Sequence, residues 1–448
     1  MRSDVTASLV LAAAVILAYA NALTGPFQFD DYNVIVHNPA VHSLPAWLDS
    51  MPGIRPLLKL TYTLNWVADP RPIGFHAVNV LVHAVNAILV YRLLRLLREE
   101  HPAPDWAPLA GALLFALHPV QTEAVTYVSG RSVSLMATFY LGSLLAWLHM
   151  DRGEAGSKWR LLSAGLFGAA LLVKESAVTL PFALLLLDTI GARQRLTVRQ
   201  LFQRQSLHWL VLAGGLLTIA ASPTYRWFLE ISLSTRGVLD NLLTQAHAVG
   251  YLAAQLVRPW GMNADPDLPV LTALTPALGL QVLAILAIVG IGLGSLRGRA
   301  WLAFAILWFI LHLLPTNSLV PRLDVANDRQ LYLASIGILF ALGVGVQWTL
   351  ERVHRRLLVG AVAGLLVAGL GFATVERNGV YGSEVTFWQD TAAKSPRKPR
   401  VANNLGYAYQ RAGRLDEARM AYLRAIELDP AYWKARINLE ALEAGQSR

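Results

Sequence analysis

Residues 5–32 read VTASLVLAAAVILAYANALTGPFQFDDY: an apolar run followed closely by two adjacent carboxylates, Asp30 and Asp31. A helix needs about 20 apolar residues to cross a bilayer, so residues 5–22 are read as a first membrane span. The end of that run, Ala18-Tyr19-Ala20-Asn21-Ala22, also fits a signal-peptide cleavage site. A retained span is preferred, because it holds Phe29-Asp30-Asp31-Tyr32 at a membrane surface. Ionisable groups at membrane depth are costly and tend to mark function, whereas a solvated loop start costs little.

The composition agrees with a bundle of spans. Of 448 residues, 55% are hydrophobic and 15% charged, and mean hydropathy is +0.43. That balance excludes an ordinary soluble enzyme. The net charge of +9 comes from short Lys and Arg clusters between apolar runs, which describes membrane topology rather than a nucleic-acid partner. There is no cysteine, hence no disulfide and no thiolate metal site.

Ten further apolar runs follow, at 74–97, 106–117, 132–150, 161–173, 178–190, 207–221, 277–296, 300–314, 331–350 and 357–374. The expectation is an all-α polytopic protein of about eleven spans, several short enough to be broken or tilted. Basic clusters fall after every second run: Arg92, Arg95 and Arg98; Arg152, Lys158 and Arg160; Arg193, Arg195, Arg199 and Arg204; Arg297 and Arg299; Arg352, Arg355 and Arg356. By the positive-inside rule these loops and the N-terminus are cytoplasmic. The outer loops are then 24–73, 118–131, 174–175, 222–275 and 315–330, and the tail is outside.

Residues 376–448 differ in kind from the membrane domain, 1–375. Aligned on itself at a spacing of 34, the tail matches Trp388 with Tyr422, Pro396 with Pro430, Asn404 with Asn438 and Leu405 with Leu439. This is the tetratricopeptide period. Leu405, Gly406, Tyr409, Ala418, Tyr422, Ala425 and Pro430 occupy its packing and helix-ending positions. Fewer than two and a half repeats are present and about three are needed to stand alone, so the module is expected to pack on the membrane domain, another copy or a partner. Asn404, Tyr407 and Arg411 lie on its first complete helix, the surface that lines the peptide groove in stacked repeats.

A set of short motifs runs through the chain in order: Phe29-Asp30-Asp31, Arg55-Pro56-Leu57, Gly74-Phe75-His76-Ala77-Val78-Asn79, Leu117-His118-Pro119 with Thr122-Glu123-Ala124-Val125, Gly130-Arg131, Lys174-Glu175 and Arg329-Gln330-Leu331-Tyr332-Leu333. Together with the repeats, this set resembles the TMTC family of transmembrane and tetratricopeptide-repeat proteins, grouped with the GT-C glycosyltransferases. The resemblance implies an inverting transfer of a monosaccharide from a polyprenyl-phosphate carrier to a hydroxyl, on the non-cytoplasmic face of a bacterial inner membrane or its equivalent. It also implies the acidic pair as catalytic signature, mannose as the sugar and a protein as acceptor. The repeat array is shorter than in the eukaryotic members, which leaves acceptor identity open.

Chemistry of this kind needs a base for the acceptor proton and cations for the leaving phosphate. Asp30 and Asp31 supply carboxylates, of which adjacent geometry lets only one face a substrate. Arg55, Lys59, Arg131, Lys174 and Arg329 are the outer cations suited to phosphate. Arg55 and Lys59 can equally anchor to lipid head groups.

His118, Glu123 and Glu175 are supporting candidates. His118 and Glu123 with an aspartate could form a weak divalent-metal site, but hydrogen-bonded structure is the preferred reading and no cofactor is required. The stripe His76, Asn79, His83 and Asn86 reads as helix packing. Asp265 and Asp267 read as an Asp-Pro turn. Tryptophans at segment ends read as an interfacial belt.

Two other classes remain. A non-enzymatic scaffold recruiting partners through the repeats would need neither long outer loops nor paired acids. A transporter would carry ionisable groups at mid-span and an inverted repeat, and neither is evident.

Overall fold

The computed structural model describes residues 2–100, 106–150, 156–191, 197–352 and 356–446; among them every regular element is helical. Arg152, Arg193, Arg195 and Arg355, read above as topology markers, lie outside the described residues. Each of the eleven apolar runs forms a helix: Arg2–Tyr19, Pro72–Glu100, Ala107–Leu117, Arg131–Met150, Gly156–Val173, Leu180–Gly191, Ser206–Ala221, Pro276–Ser295, Ala300–Leu313, Leu331–Arg352 and Arg356–Val380. Only six are long and apolar enough to cross a bilayer, or seven if Ser206–Ala221 and Pro223–Thr235, bent by 78°, make one broken span. The expected count of about eleven spans, several of them broken or tilted, is therefore not confirmed by helix length.

The shortfall has a physical reason. Ala107–Leu117 and Ala300–Leu313 have 11 and 14 residues, about 16 and 21 Å at 1.5 Å per residue, against a hydrocarbon core of about 30 Å. They are wedged into the bundle instead. Both pack on Leu331–Arg352, whose glycines permit close approach: a Cβ on Gly337 would stand 2.9 Å from the Ala305 backbone, and one on Gly343 2.8 Å from the Ala107 carbonyl.

The first helix is part of the core, with Leu11, Val15 and Tyr19 fully buried. The histidine and asparagine stripe packs as read, and it does so by polar contacts. His83 meets the Tyr332 hydroxyl at 2.8 Å and the Ala116 carbonyl at 3.1 Å, and Asn86 donates to the Ser134 carbonyl at 2.7 Å. By contrast Pro276–Ser295 and Leu357–Val380 present apolar faces outward, with Leu280, Leu283 and Leu365 exposed, as a lipid-facing surface requires.

The long outer loops are themselves largely helical. Residues 24–73 contain Leu44–Asp49 and Pro56–Ala68, and residues 222–275 contain Pro223–Thr235 and Val238–Gln255. These loops meet at one end of the bundle, through Arg55 with Glu175 and Glu123 with Arg329.

Helices Glu384–Lys394, Pro399–Arg411, Leu415–Leu428 and Trp433–Gln446 form the repeat module. Tyr422 is fully buried against Gly406, where a Cβ would stand 2.6 Å from its ring. The module packs on the membrane domain: Phe387, Trp388, Val401 and Ala408 form one buried cluster with Tyr127 and Tyr381. Polar contacts reinforce it. Arg400 pairs with Asp265 and Asp324, both at 2.5 Å, and the Ser395 hydroxyl donates to the Asp265 carbonyl at 2.8 Å.

Candidate active site

The acidic pair is split by its loop. Asp31 is 1% exposed. It accepts from the Gln28 amide at 3.0 Å, from the Ser129 amide at 2.8 Å and from the Ser129 hydroxyl. Burial pushes its carboxyl up to about 7, against those donors. It ties residues 28–31 to the turn 127–130, and its oxygens are committed there. Gly130 is needed in that turn, since a Cβ would meet the Glu123 carbonyl at 2.3 Å.

Asp30 is placed differently. Its amide donates to the Tyr127 hydroxyl at 2.9 Å. Its half-buried side chain lines a cavity of about 40 Å³ with Phe29, Glu123, Tyr127, Asp265, Asp324, Arg329, Tyr381, Phe387, Trp388 and Arg400. Burial raises its carboxyl above the usual 3.8, more than nearby Arg329 and Tyr127 lower it.

Arg329 also faces a second cavity of about 40 Å³, lined by Lys174, Ser176, His312, Thr316, Arg322, Asn327 and Gln330. Three cations converge on it. Arg329 is held by Glu123, with its amide 2.9 Å and its Nε 3.4 Å from the two carboxylate oxygens. Among the described residues Lys174 and Arg322 have no carboxylate within ion-pairing distance. Burial and the like charges of Arg55, Arg329 and Arg322 push the Lys174 ammonium well below its usual range, and burial with Arg329 brings Arg322 to about 10. In addition, among the described residues the buried amide donors Gln330 Nε2 and Asn327 Nδ2 have no hydrogen-bond partner. A cationic chamber lined with unused polar atoms suits an oxyanion.

Several predicted site residues are committed elsewhere. Arg131 is fully buried and donates to Asn79 Oδ1, Asn65 Oδ1 and the Phe75 carbonyl at 2.7, 2.7 and 2.9 Å. It also donates to Thr61 and lies over the Tyr62 ring at 4.9 Å, so it is a structural cation with most of its N–H groups taken within the bundle. Arg55 makes a bidentate pair with Glu175, at 2.8 to 3.1 Å. Burial alone would raise Glu175, but Arg55 and the Tyr225 hydroxyl hold it at about 2. Arg55 is therefore neutralised rather than poised for substrate, and Glu175 is its counter-ion.

His118 accepts from the Val120 amide at 3.1 Å, and its other nitrogen meets the Leu256 carbonyl at 3.2 Å. It caps a helix end and has no nitrogen free for a metal. On the repeats, Tyr407 is exposed and Asn404 half-buried, its Oδ1 accepting from Asn403 at 3.2 Å, but Arg411 pairs with Glu384 at 3.1 Å and lies over the Tyr32 ring at 4.1 Å. Arg411 serves the contact with the membrane domain, not an open groove.

Arg322, Asp324, Trp388 and Arg400 line the two cavities and were not singled out from the sequence. Arg322 carried a usable signal: it is an outer-loop cation seven residues before Arg329. Asp265 and Asp324 could be connected with Arg400 only through tertiary contact.

A family model for the tetratricopeptide repeat matches residues 399–432, the unit read from the 34-residue spacing. Among characterised sequences, the chain is 28% identical to human protein O-mannosyl-transferase TMTC4 over 89% of its own length and 63% of that protein's. It is 26% identical to a Caenorhabditis elegans protein O-mannosyl-transferase over 95% of its length and 63% of the relative's. With mouse protein O-mannosyl-transferase TMTC3 it shares 24% identity over 96% of its length and 52% of the relative's. The chain thus spans between half and two thirds of these relatives. Over nearly its own whole length, membrane helices and repeats together, it is TMTC-like.

Proposed function

We propose that the chain is a membrane glycosyltransferase that moves a monosaccharide from a polyprenyl-phosphate carrier to a protein hydroxyl. The relatives' names point to mannose. The observation that carries this reading is the position of Arg329 between two unlike cavities, one cationic and one containing Asp30. A sugar phosphate bound across Arg329 would leave its phosphate among Lys174, Arg322 and Arg329 and its anomeric carbon toward Asp30.

The acceptor oxygen attacks that carbon from the side opposite the phosphate, the carbon–oxygen bond to phosphate breaks, and configuration inverts. The acceptor proton passes to the Asp30 carboxylate, and the bond's electron pair leaves on the polyprenyl phosphate, stabilised by the three cations. Glu123 holds Arg329 in place. Asp31 fixes the loop. Asn404 and Tyr407 are the groove residues available to an acceptor polypeptide.

The test is a panel of polyprenyl-phosphate sugars offered to the reconstituted full chain with a serine- and threonine-containing peptide. Donor-dependent glycosylation of the peptide is expected, with mannose the best sugar. If no donor is consumed with any acceptor, the transferase reading fails and a scaffold built on the repeats takes its place.

The alternation of the basic clusters along the sequence supports a non-cytoplasmic face for this site and a cytoplasmic N-terminus. A topology reporter fused after Ala373 or at the C-terminus is expected to read non-cytoplasmic, and one near Gly191 cytoplasmic. Readings on the same side would remove the proposed face.

A further inference from the structure

The segment that carries Asp30 is gripped by the repeat module at three points. The Phe29 ring meets Trp388 edge to face, with centroids 5.4 Å apart. The Phe29 amide faces the Glu384 carboxylate. The Arg411 guanidinium, paired with Glu384 at 3.1 Å, lies over the Tyr32 ring at 4.1 Å. Two of these contacts fall on the residue immediately before Asp30 and one just after Asp31.

The gripped backbone is strained. Phe29 has φ of 45°, one of two non-glycine residues with positive φ among the described residues. A bulky side chain seldom adopts that region and persists there only where its surroundings enforce it. Asp31 ties the loop to the turn 127–130 on one side, and on the other the Phe29 ring rests on Trp388, itself 5% exposed and backed by Phe387 at 5.1 Å. Trp388 also lines the Asp30 cavity.

We infer that Trp388, with Glu384 and Arg411, is a positioning residue for Asp30: the repeat module assembles the proposed base, in addition to any part it takes in recruiting an acceptor. This rests on the reading of Asp30 as base. It accounts for the packing of the module on the acidic loop, and it separates two roles that truncation would remove together.

The experiment uses the full chain, polyprenyl-phosphate mannose and a peptide acceptor too short to reach from the Asp30 cavity to Asn404 and Tyr407. Displacement of a reacting group by about 1 Å costs about 100-fold, so Trp388→Ala is expected to lower transfer to this short acceptor by about that factor, with donor affinity unchanged. Trp388→Phe, which keeps an aromatic edge for Phe29, is expected to stay within a few-fold of the parent.

The decisive comparison is made in an Asp30→Asn background. There Trp388→Ala is expected to produce no further loss, since the group it positions is already disabled. A full additional 100-fold loss in that background, or parental transfer by Trp388→Ala alone, would overturn the inference. Parental transfer by Asp30→Asn alone would instead remove the base itself, so the two failures are told apart. Should Trp388→Ala fold poorly, Glu384→Gln tests the same coupling through the Phe29 amide, by the same two comparisons.

Discussion

Replacement of Asp30 by Asn is expected to lower transfer by about 10² to 10⁴, the usual worth of a general base, while membrane insertion and melting temperature stay near those of the parent. Asn keeps the volume of the side chain. Among the described residues Tyr127 is the one side chain that hydrogen-bonds the Asp30 carboxylate, and Arg329 and Arg400 act on it only as nearby charges, so an Asn there keeps the local hydrogen bonding.

Asp31→Asn is expected to behave in the opposite way. Its amide group would confront the Ser129 amide and hydroxyl or the Gln28 amide, all of which donate to the carboxylate. Leaving such a buried donor unmatched costs about 1–3 kcal/mol, and any fall in rate follows from the disturbed loop. pH offers a second check. A base must be ionised to accept a proton, and the Asp30 carboxyl is raised above 3.8 by burial. Activity should therefore be lost as pH falls through a midpoint above that value, and this acid limb should vanish in Asp30→Asn. A parental rate in that variant would dispose of Asp30 as the base.

The second large effect concerns Lys174. Lys174→Met, alone or with Arg322→Met, is expected to cut donor use by about 10² to 10³, the range seen when a preorganised charge is taken from a developing anion. At the same time it should hold or raise the melting temperature, because it removes a buried cation that faces Arg55, Arg322 and Arg329 with only Glu175, already bound to Arg55, as a nearby opposite charge. Opposite movements of rate and stability are the signature of a residue kept for binding rather than folding. Arg329→Ala cannot give that signature: it strands buried Glu123, and breaking such a pair costs about 3–5 kcal/mol. Unchanged donor affinity in Lys174→Met would move the phosphate out of this chamber.

What could be read from the chain alone follows the range of the interactions involved. Helix positions come from local hydropathy, and all eleven runs are helices; whether an 11- or 14-residue helix crosses the bilayer depends on its neighbours and could not be read. The 34-residue period was legible because a repeat is a local pattern.

The site was legible by residue type and only partly by role. Phe29-Asp30-Asp31 identifies the loop, but which carboxylate faces the cavity depends on Ser129 and Tyr127, about a hundred positions away. Arg131 and Arg329 look alike in sequence, both cations opening a helix on the outer side. Asn79 and Asn65 convert the first into a structural post, and Glu123 aims the second into both cavities. Arg322 stands seven residues before Arg329 in the same loop, a signal that went unused because only the fold brings both to one cavity.

The size of the Asp30 cavity fixes how a catalytic cycle is timed. About 40 Å³ admits a few water molecules and no hexose. On the proposed reading a sugar is therefore seated only once lining groups such as Arg400 and Asp324 part, and the cavity closes again before transfer. Such rigid-body departures run on the microsecond-to-millisecond scale and set the turnover number of many transferases and hydrolases. Loading and chemistry then exclude one another: a donor in the parted site meets water while the base is disassembled, and is activated only after the repeats have closed over a seated acceptor. Spillage of the activated sugar to solvent is suppressed by the order of events.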